Sequence, residues 1–195
     1  IWADRCEEVA FNSMPACQPP DQKGLHYLTG ANMVQLDKEN KSPGLQNGGC
    51  MLAYDPHGYR CCQHNVSHGW PYYAENLWMA TPGDGLAAVL YSACEVTAKV
   101  GADGRPVTIA EETHYPFSGE VRLRLAMDEP TEFPLYLRIP NWCKAARVRV
   151  NGNVVAVEAR PGHFVRIAGM WHSGDAVTLE LPMEVAVKRW ARNHD

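Results

Sequence analysis

The amino-acid sequence predicts a mainly β fold, an antiparallel β-sandwich of the jelly-roll type preceded by a shorter helical segment. Two observations lead to this prediction. From Leu86 onward, apolar residues recur at every second position in nine short runs, which is the period of a half-buried strand. Before residue 83 the apolar spacing is nearer to three and four, which is the period of a helix face. We therefore expect two domains, residues 1–82 and 83–195.

The predicted helical part contains two helices separated by a long loop. The first helix is predicted over residues 3–13 and is closed by Pro15. A second helix is predicted after Cys61-Cys62 and runs through Met79. Between them, repeated Gly and Pro residues break regular structure and leave one short strand at residues 25–28.

The nine strands of the sandwich follow one another without an intervening helix. They are predicted at residues 86–92, 95–100, 107–112, 120–126, 133–139, 147–150, 154–157, 164–167 and 177–181. Asn151-Gly152 predicts a two-residue hairpin, because both residues tolerate the positive φ that such a turn requires. Short strands at this spacing are typical of antiparallel sandwiches and barrels.

Composition narrows the range of partners. The chain has 46% hydrophobic and 21% charged residues, as expected of a globular protein. Its 18 Lys+Arg against 22 Asp+Glu give a net charge of -4, and no basic stretch marks a nucleic-acid groove. No run approaches the roughly 18 to 20 apolar residues that a membrane helix requires. We therefore expect no nucleic-acid partner and no membrane partner.

The seven cysteines are too sparse for a disulfide scaffold, and their odd number favours a reducing compartment or a metal site. This leaves the cytoplasm or the periplasm open as the location. The sequence starts at Ile1 without an initiator Met or a signal-peptide pattern. We therefore expect a fragment of a longer protein.

The densest group of reactive side chains is Arg60-Cys61-Cys62-Gln63-His64-Asn65-Val66-Ser67-His68. Two thiols beside two imidazoles favour thiolate chemistry or a soft metal, for which zinc is the natural choice. Three simpler interpretations compete. The two cysteines are small buried apolar residues, Cys61 forms a disulfide with Cys50, or the two histidines are surface or capping residues.

Aromatic and acidic residues add weaker signals. The stretch Trp70-Pro71-Tyr72-Tyr73 suits either a sugar-binding cleft or the packing of a helix on its neighbour, and packing is the commoner use. Glu111, Glu112 and the other strand carboxylates are expected to face water. Spacing alone pairs no two of them as a glycosidase dyad.

Three stretches of the sequence together point to a family. They are the cysteine pair in Arg60-Cys61-Cys62-Gln63-His64-Asn65, the strand Leu137-Arg138-Ile139-Pro140-Asn141-Trp142, and the predicted helix Ala3-Asp4-Arg5-Cys6-Glu7-Glu8-Val9-Ala10-Phe11-Asn12. This arrangement resembles glycoside hydrolase family 127, the β-L-arabinofuranosidase family. The resemblance spans nearly the whole chain.

The resemblance implies a catalytic (α/α)6 barrel followed by β-sandwich domains, so that residues 1–82 would be a remnant of that barrel. It also implies a carbohydrate substrate, a zinc ion held by a Glu and three Cys, and a retaining mechanism. Carried over to this sequence, Cys61 is the nucleophile and a zinc ligand, and Cys62 is a second ligand. Tyr27 is implied to contact the sugar.

Some parts of the family pattern are absent from the sequence. It contains no Glu-x-Cys zinc motif, which in the family lies upstream of the position matched by Ile1, as does the general acid. We therefore expect the missing N-terminal barrel residues to be a required partner and the isolated chain to be inactive. Two alternatives stay open. The chain is a carbohydrate-binding or structural sandwich with a structural cysteine segment, or Cys50, Cys61, Cys62 and His64 form a self-contained zinc site.

Overall fold

The structure is a computed structural model that describes residues 2–26, 51–53 and 61–187. Contacts divide the chain after Leu77 into two compact units, residues 1–77 and 78–195. The sequence placed this boundary after residue 82 instead. The segment between the two boundaries forms a strand, Trp78–Thr81, which pairs with Gly85–Ala88 inside the second unit.

A nearly continuous helical stretch opens the first unit. It consists of α1 (Trp2–Glu8), a π-helical segment (Val9–Ser13) and α2 (Met14–Ala16). The stretch passes Pro15, where the sequence predicted its end. Proline is tolerated there because it lies in the first turn of α2, where a backbone N–H has no partner within the helix. Among the described residues, no helix is both long and apolar enough to cross a membrane.

The remaining described elements of the first unit are short. Strand β1 (Gly24–His26) pairs antiparallel with β2 (Met51–Ala53), and two helices follow, α3 (Cys61–Val66) and α4 (Gly69–Glu75). The strand predicted at residues 25–28 is thus present as far as the structure describes it. The predicted continuation of the helix through Met79 is wrong. Asn76 leaves the helical conformation at φ -106° and ψ 13°, and the chain then becomes extended.

The second unit is a β-sandwich. Its described strands are β3 (Trp78–Thr81), β4 (Gly85–Ala88), β5 (Cys94–Val100), β6 (Arg105–Thr113), β7 (Glu120–Ala126), β8 (Thr131–Arg138), β9 (Arg147–Val150), β10 (Asn153–Val154), β11 (Phe164–Trp171) and β12 (Ala176–Glu180). They form a six-stranded sheet in the order β10-β9-β12-β7-β6-β5 and a four-stranded sheet in the order β11-β8-β4-β3.

The predicted mainly β sandwich is confirmed, but the strands predicted at residues 86–92 and 154–157 already end at Ala88 and Val154. Two other features also differ from the prediction. Strand β3 replaces the end of a predicted helix, and β4 pairs with β8 in parallel, with Leu86 opposite Leu135. The sandwich is therefore not antiparallel throughout. The parallel pair arises because β5, β6 and β7 intervene in the chain and lie in the other sheet. Such an excursion supplies the long connection that parallel neighbours need.

The inner faces of the two sheets share one hydrophobic core. Ile109 and Leu123 of the six-stranded sheet and Leu135 and Leu137 of the four-stranded sheet are at most 1% exposed. Each such side chain contributes about 1.5 to 3 kcal/mol when fully buried. Along β7 and β8, buried residues alternate with more exposed ones, so that one face of each strand points into the core. The apolar period of two in the sequence predicted this alternation.

The stretch Leu137-Arg138-Ile139 supports the sandwich rather than a surface site. Leu137 and Ile139 are fully buried, and Arg138 is only 2% exposed. The Arg138 guanidinium donates a hydrogen bond to the Val89 carbonyl and lies 5.7 Å from the centre of the Tyr91 ring. The Tyr91 hydroxyl donates back to the Arg138 carbonyl at 2.5 Å. This stretch therefore ties β8 to the segment that follows β4.

Candidate functional site

The cysteine pair lies at the start of α3. Cys61 is exposed, Cys62 is half-buried and Gln63 is buried, because successive helical residues point about 100° apart around the axis. The Sγ atoms of Cys61 and Cys62 are 3.8 Å apart, and both residues carry thiols. The exposure of Cys61 contradicts its interpretation as a buried apolar residue. The disulfide from Cys61 to Cys50 stays a prediction, because Cys50 lies outside the described residues.

The separation of the two sulfur atoms fits joint binding of one zinc ion. Two thiolates on tetrahedral zinc, each about 2.3 Å from the metal, lie about 3.8 Å apart, and the observed Sγ–Sγ distance is 3.8 Å. Among the described residues, no three His, Cys, Asp or Glu side chains are grouped closely enough to hold a metal ion. The pair therefore offers two donors, and a complete donor set needs ligands from outside the described residues.

The neighbouring histidines form a separate row. The His64 and His68 rings contact each other edge to face with centroids 4.9 Å apart, and the Tyr72 ring lies 6.2 Å from His68. All three residues are exposed. His64 lies on α3, His68 directly precedes α4 and Tyr72 lies on α4. This agrees with the surface interpretation of the two histidines.

Packing of α4 on the first helical stretch positions the segment that carries the cysteines. The Phe11 ring contacts Tyr73 at 5.6 Å and Trp70 at 6.4 Å between centroids. Gly69 permits this approach, since a Cβ there would lie 2.2 Å from Cε of Met14. Tyr73 is buried, whereas Trp70 is 43% exposed. Within the aromatic stretch, Tyr73 therefore packs in the interior, whereas part of Trp70 lies at the surface.

Two residues of the sequence hypotheses lie outside the described residues. These are Tyr27, implied to contact the sugar, and Cys50, proposed for the self-contained zinc site. Both roles stay predictions.

Glu111 is a buried acid that the sequence reasoning missed. The strand carboxylates were expected to face water, and Glu112 does so, pairing with Arg124 at 2.8 Å. Glu111 is only 2% exposed, so the expectation is wrong at this position. Adjacent residues of a strand point to opposite faces. Two consecutive acids within a predicted strand were therefore the signal that one of them points inward.

Glu111, on β6, is hydrogen-bonded to β3, to β5 and to the connection between β4 and β5. It accepts one hydrogen bond from the Trp78 indole N–H at 3.0 Å, one from the Ser92 backbone N–H at 3.1 Å and one from the Cys94 thiol at 3.7 Å. Burial raises the pKa of Glu111 to about 7, although all three hydrogen bonds oppose the shift. Burial and the nearby Glu111 charge raise the pKa of Cys94 to about 11. The hydrogen bonds between Glu111, Trp78, Ser92 and Cys94 therefore hold parts of the sandwich together.

Two protein-family models match the chain, one in each of its two compact units. Residues 1–75 match the catalytic domain described as "Beta-L-arabinofuranosidase, GH127 catalytic domain". Residues 85–183 match the one described as "Beta-L-arabinofuranosidase, GH127 middle domain". The chain belongs to glycoside hydrolase family 127. The match to the catalytic domain includes Cys61 and Cys62, which confirms the family resemblance seen in the sequence.

Solved structures of this family share the fold. A GH127 β-L-arabinofuranosidase from Geobacillus stearothermophilus T6 is 28% identical with a TM-score of 0.74, over 95% of this chain and 28% of that one. A glycoside hydrolase is 24% identical with a TM-score of 0.74, over 94% of this chain and 29% of that one. A GH127 β-arabinofuranosidase is 24% identical with a TM-score of 0.73, over 94% and 28%.

The two structures at 24% identity show likeness of fold alone. The chain spans less than a third of the length of each of the three solved structures. A comparison with curated protein sequences finds no significant match.

Proposed function

We propose that this chain is part of a retaining glycoside hydrolase that acts on β-L-arabinofuranosyl or related glycosides, with Cys61 as the nucleophile. The observation that carries the proposal is the exposed Cys61 thiol, 3.8 Å from that of Cys62, within the residues matched by the family's catalytic domain. The 28% identical relative named as a β-L-arabinofuranosidase supports the substrate class.

The chemistry follows from the position of the Cys61 sulfur. A thiolate attacks the anomeric carbon, so that a C–S bond forms as the glycosidic C–O bond breaks. The leaving oxygen takes a proton from a carboxylic acid outside the described residues. Water then attacks the same carbon and gives a proton to the carboxylate left by the first step, while the C–S bond breaks and the thiolate is restored. The two displacements together retain the anomeric configuration.

Cys61 and Cys62 are the residues of this chain that would hold a zinc ion, because their sulfur atoms are spaced as two donors to one tetrahedral centre. When bound, zinc keeps a coordinated thiol deprotonated near neutral pH. Cys62 is half-buried while Cys61 is exposed. Cys62 therefore acts as an anchoring donor, and Cys61 is the sulfur that a substrate can reach.

Replacing Cys61 with Ser in the full-length enzyme tests the nucleophile. Hydrolysis of an aryl β-L-arabinofuranoside should fall by about three orders of magnitude or more, because a serine hydroxyl is a far poorer nucleophile at neutral pH. The far-ultraviolet circular dichroism spectrum should stay that of the folded enzyme. Cys17→Ser, at a half-buried thiol bonded to the Met14 carbonyl, is the matched control and should keep its activity. Wild-type rates in Cys61→Ser would refute the assignment.

A second measurement tests the metal site without using activity. In the metal-free protein, iodoacetamide should alkylate Cys61, and added zinc should slow that reaction. Cys143 is fully buried and should stay unmodified in the native protein under both conditions. Cys62→Ser should lower the zinc content of the full-length protein, because it removes one of two adjacent donors. Alkylation of Cys61 at one rate with and without zinc would contradict joint binding by the pair.

A further inference from the structure

The outer face of the four-stranded sheet carries a cleft that the proposed reaction does not use. It has a volume of about 470 Å³ and lies wholly within the second unit. Its floor comes from β8 and β11, where Ala168 stands opposite Pro134. Arg166, Ala168 and Met170 are the exposed, alternate positions of β11. Ligand sites for small molecules occupy about 300 to 1,000 Å³, so the cleft has the size of one.

The walls of the cleft are held in place by backbone contacts. One wall is the turn that contains Asp84, and another is the turn from Gly101 to Arg105. The Gly101 N–H donates to the Asp84 carbonyl at 2.8 Å, which joins the two turns. Gly101 also lies against β8, since a Cβ there would be 2.7 Å from the Glu132 carbonyl oxygen. The cleft is therefore formed before any ligand arrives, which lowers the entropy cost of binding.

The cleft is lined by side chains of both charges. Asp84, Asp103 and Glu132 supply carboxylates, and Arg105 and Arg166 supply guanidinium groups. Carboxylates only accept hydrogen bonds and guanidinium groups only donate them. Neighbouring hydroxyls of a sugar can satisfy both kinds of group at once. Ala168 and Met170 add an apolar surface between them, which suits the C–H face of a sugar ring.

The same groups disfavour other small ligands. Three carboxylates oppose the binding of a phosphate or another anion. Among the described residues, the acids are not grouped closely enough to hold a metal ion. Arg105 is already held by Glu129 and Asp103. Of the two arginines, we therefore expect Arg166, at the floor of the cleft, to contribute more hydrogen bonds to a ligand.

We propose that this cleft is a second carbohydrate site, which binds a neutral oligosaccharide through Arg166 and the carboxylate of Asp84 or Glu132. The proposal rests on the proposed function only for the choice of sugar, an arabinose oligosaccharide. Binding at the cleft involves no bond making or breaking and needs neither Cys61 nor zinc. Its role would be to retain a polymeric substrate on the enzyme.

The test uses the full-length protein with Cys61→Ser, so that the sugar stays intact, and with ¹³C-methyl methionine as a reporter. The Met170 methyl lies at the cleft, and its resonance should shift saturably with short arabinose oligosaccharides. The Met14 methyl, in the helical unit, is the reporter outside the cleft. Arg166→Ala should weaken the binding seen at Met170 at least ten-fold. Arg124→Met, on the other sheet, should leave it unchanged.

Three results would overturn the proposal. They are a Met170 resonance that the sugar does not move, equal affinities with and without Arg166→Ala, and tighter binding of inorganic phosphate than of sugar. None of these depends on catalysis. Loss of hydrolysis in Cys61→Ser with no sugar effect at Met170 would support the nucleophile and refute the cleft. The reverse pattern would refute the nucleophile alone.

Discussion

Glu111 should make the stability of the sandwich depend on pH in a direction opposite to that of an ordinary salt-bridged acid. Its pKa is about 7 in the folded protein and about 4.3 in an unfolded chain. Between these values the folded protein holds a proton that the unfolded chain has lost. Folding stability is therefore fully present below about pH 4.3 and declines as the pH rises through 7. One pKa unit corresponds to about 1.4 kcal/mol, so the difference of about 2.7 between the two pKa values makes the full loss about 4 kcal/mol.

Glu111→Gln removes this titration while keeping the shape of a protonated carboxyl. The amide oxygen can still accept one of the hydrogen bonds from Ser92 and Trp78, but the amide nitrogen cannot accept the other. We expect a constant loss of about 1 to 3 kcal/mol from that unsatisfied donor. We also expect a flatter dependence of the unfolding free energy on pH.

Urea unfolding followed by tryptophan fluorescence at several pH values from 5 to 8 measures both effects. The unfolding free energy of the wild type, measured relative to that of Glu111→Gln, should fall by about 3 kcal/mol across this range, because only the wild type loses stability through the carboxyl. The wild type should therefore have lost most or all of its advantage by pH 8. Glu112→Gln is the control on the adjacent, exposed position and should run parallel to the wild type. Parallel curves for wild type and Glu111→Gln would refute the reasoning.

Four substitutions probe the packing of the sandwich by the same urea assay. Gly119→Ala should destabilise it by about 2 to 4 kcal/mol, because the new Cβ would lie 2.0 Å from the Leu181 carbonyl oxygen. Gly169→Ala, with nothing within 4 Å of its Cβ, should stay within about 0.5 kcal/mol of wild type, and equal losses in the two would contradict this. Leu137→Ala, at a fully buried position, should cost about 2 to 5 kcal/mol, and a loss below 1 kcal/mol would show that the site collapses. Arg138→Met should cost about 1 to 3 kcal/mol through the lost bond to the Val89 carbonyl, and unchanged stability would rule out a structural role.

The alternating pattern after residue 85 was sufficient to predict most of the strands, because a strand with one buried face needs apolar residues at every second position. It carried two of them too far, since the strands end at Ala88 and Val154. The same pattern failed at Trp78. That residue is apolar and follows a helix, so its neighbours in sequence favour a helical assignment. It is a strand residue because β3 completes the edge of the four-stranded sheet and its indole bonds to Glu111, far away in sequence.

The sequence by itself determined the sandwich class and the hairpin at Asn151-Gly152, and it supplied the cysteine pair on which the proposed reaction rests. Each of these features depends on residues that are close together in the chain. It can therefore be predicted from the local periodicity, from the residues that form turns or from a short motif. Only the tertiary structure decided that Glu111 is buried, that β4 and β8 run parallel, and that two turns and β11 enclose a cleft. These features depend on contacts between distant residues. Burial then changes the energy of a charge, or of a hydrogen bond, in ways that no local pattern encodes.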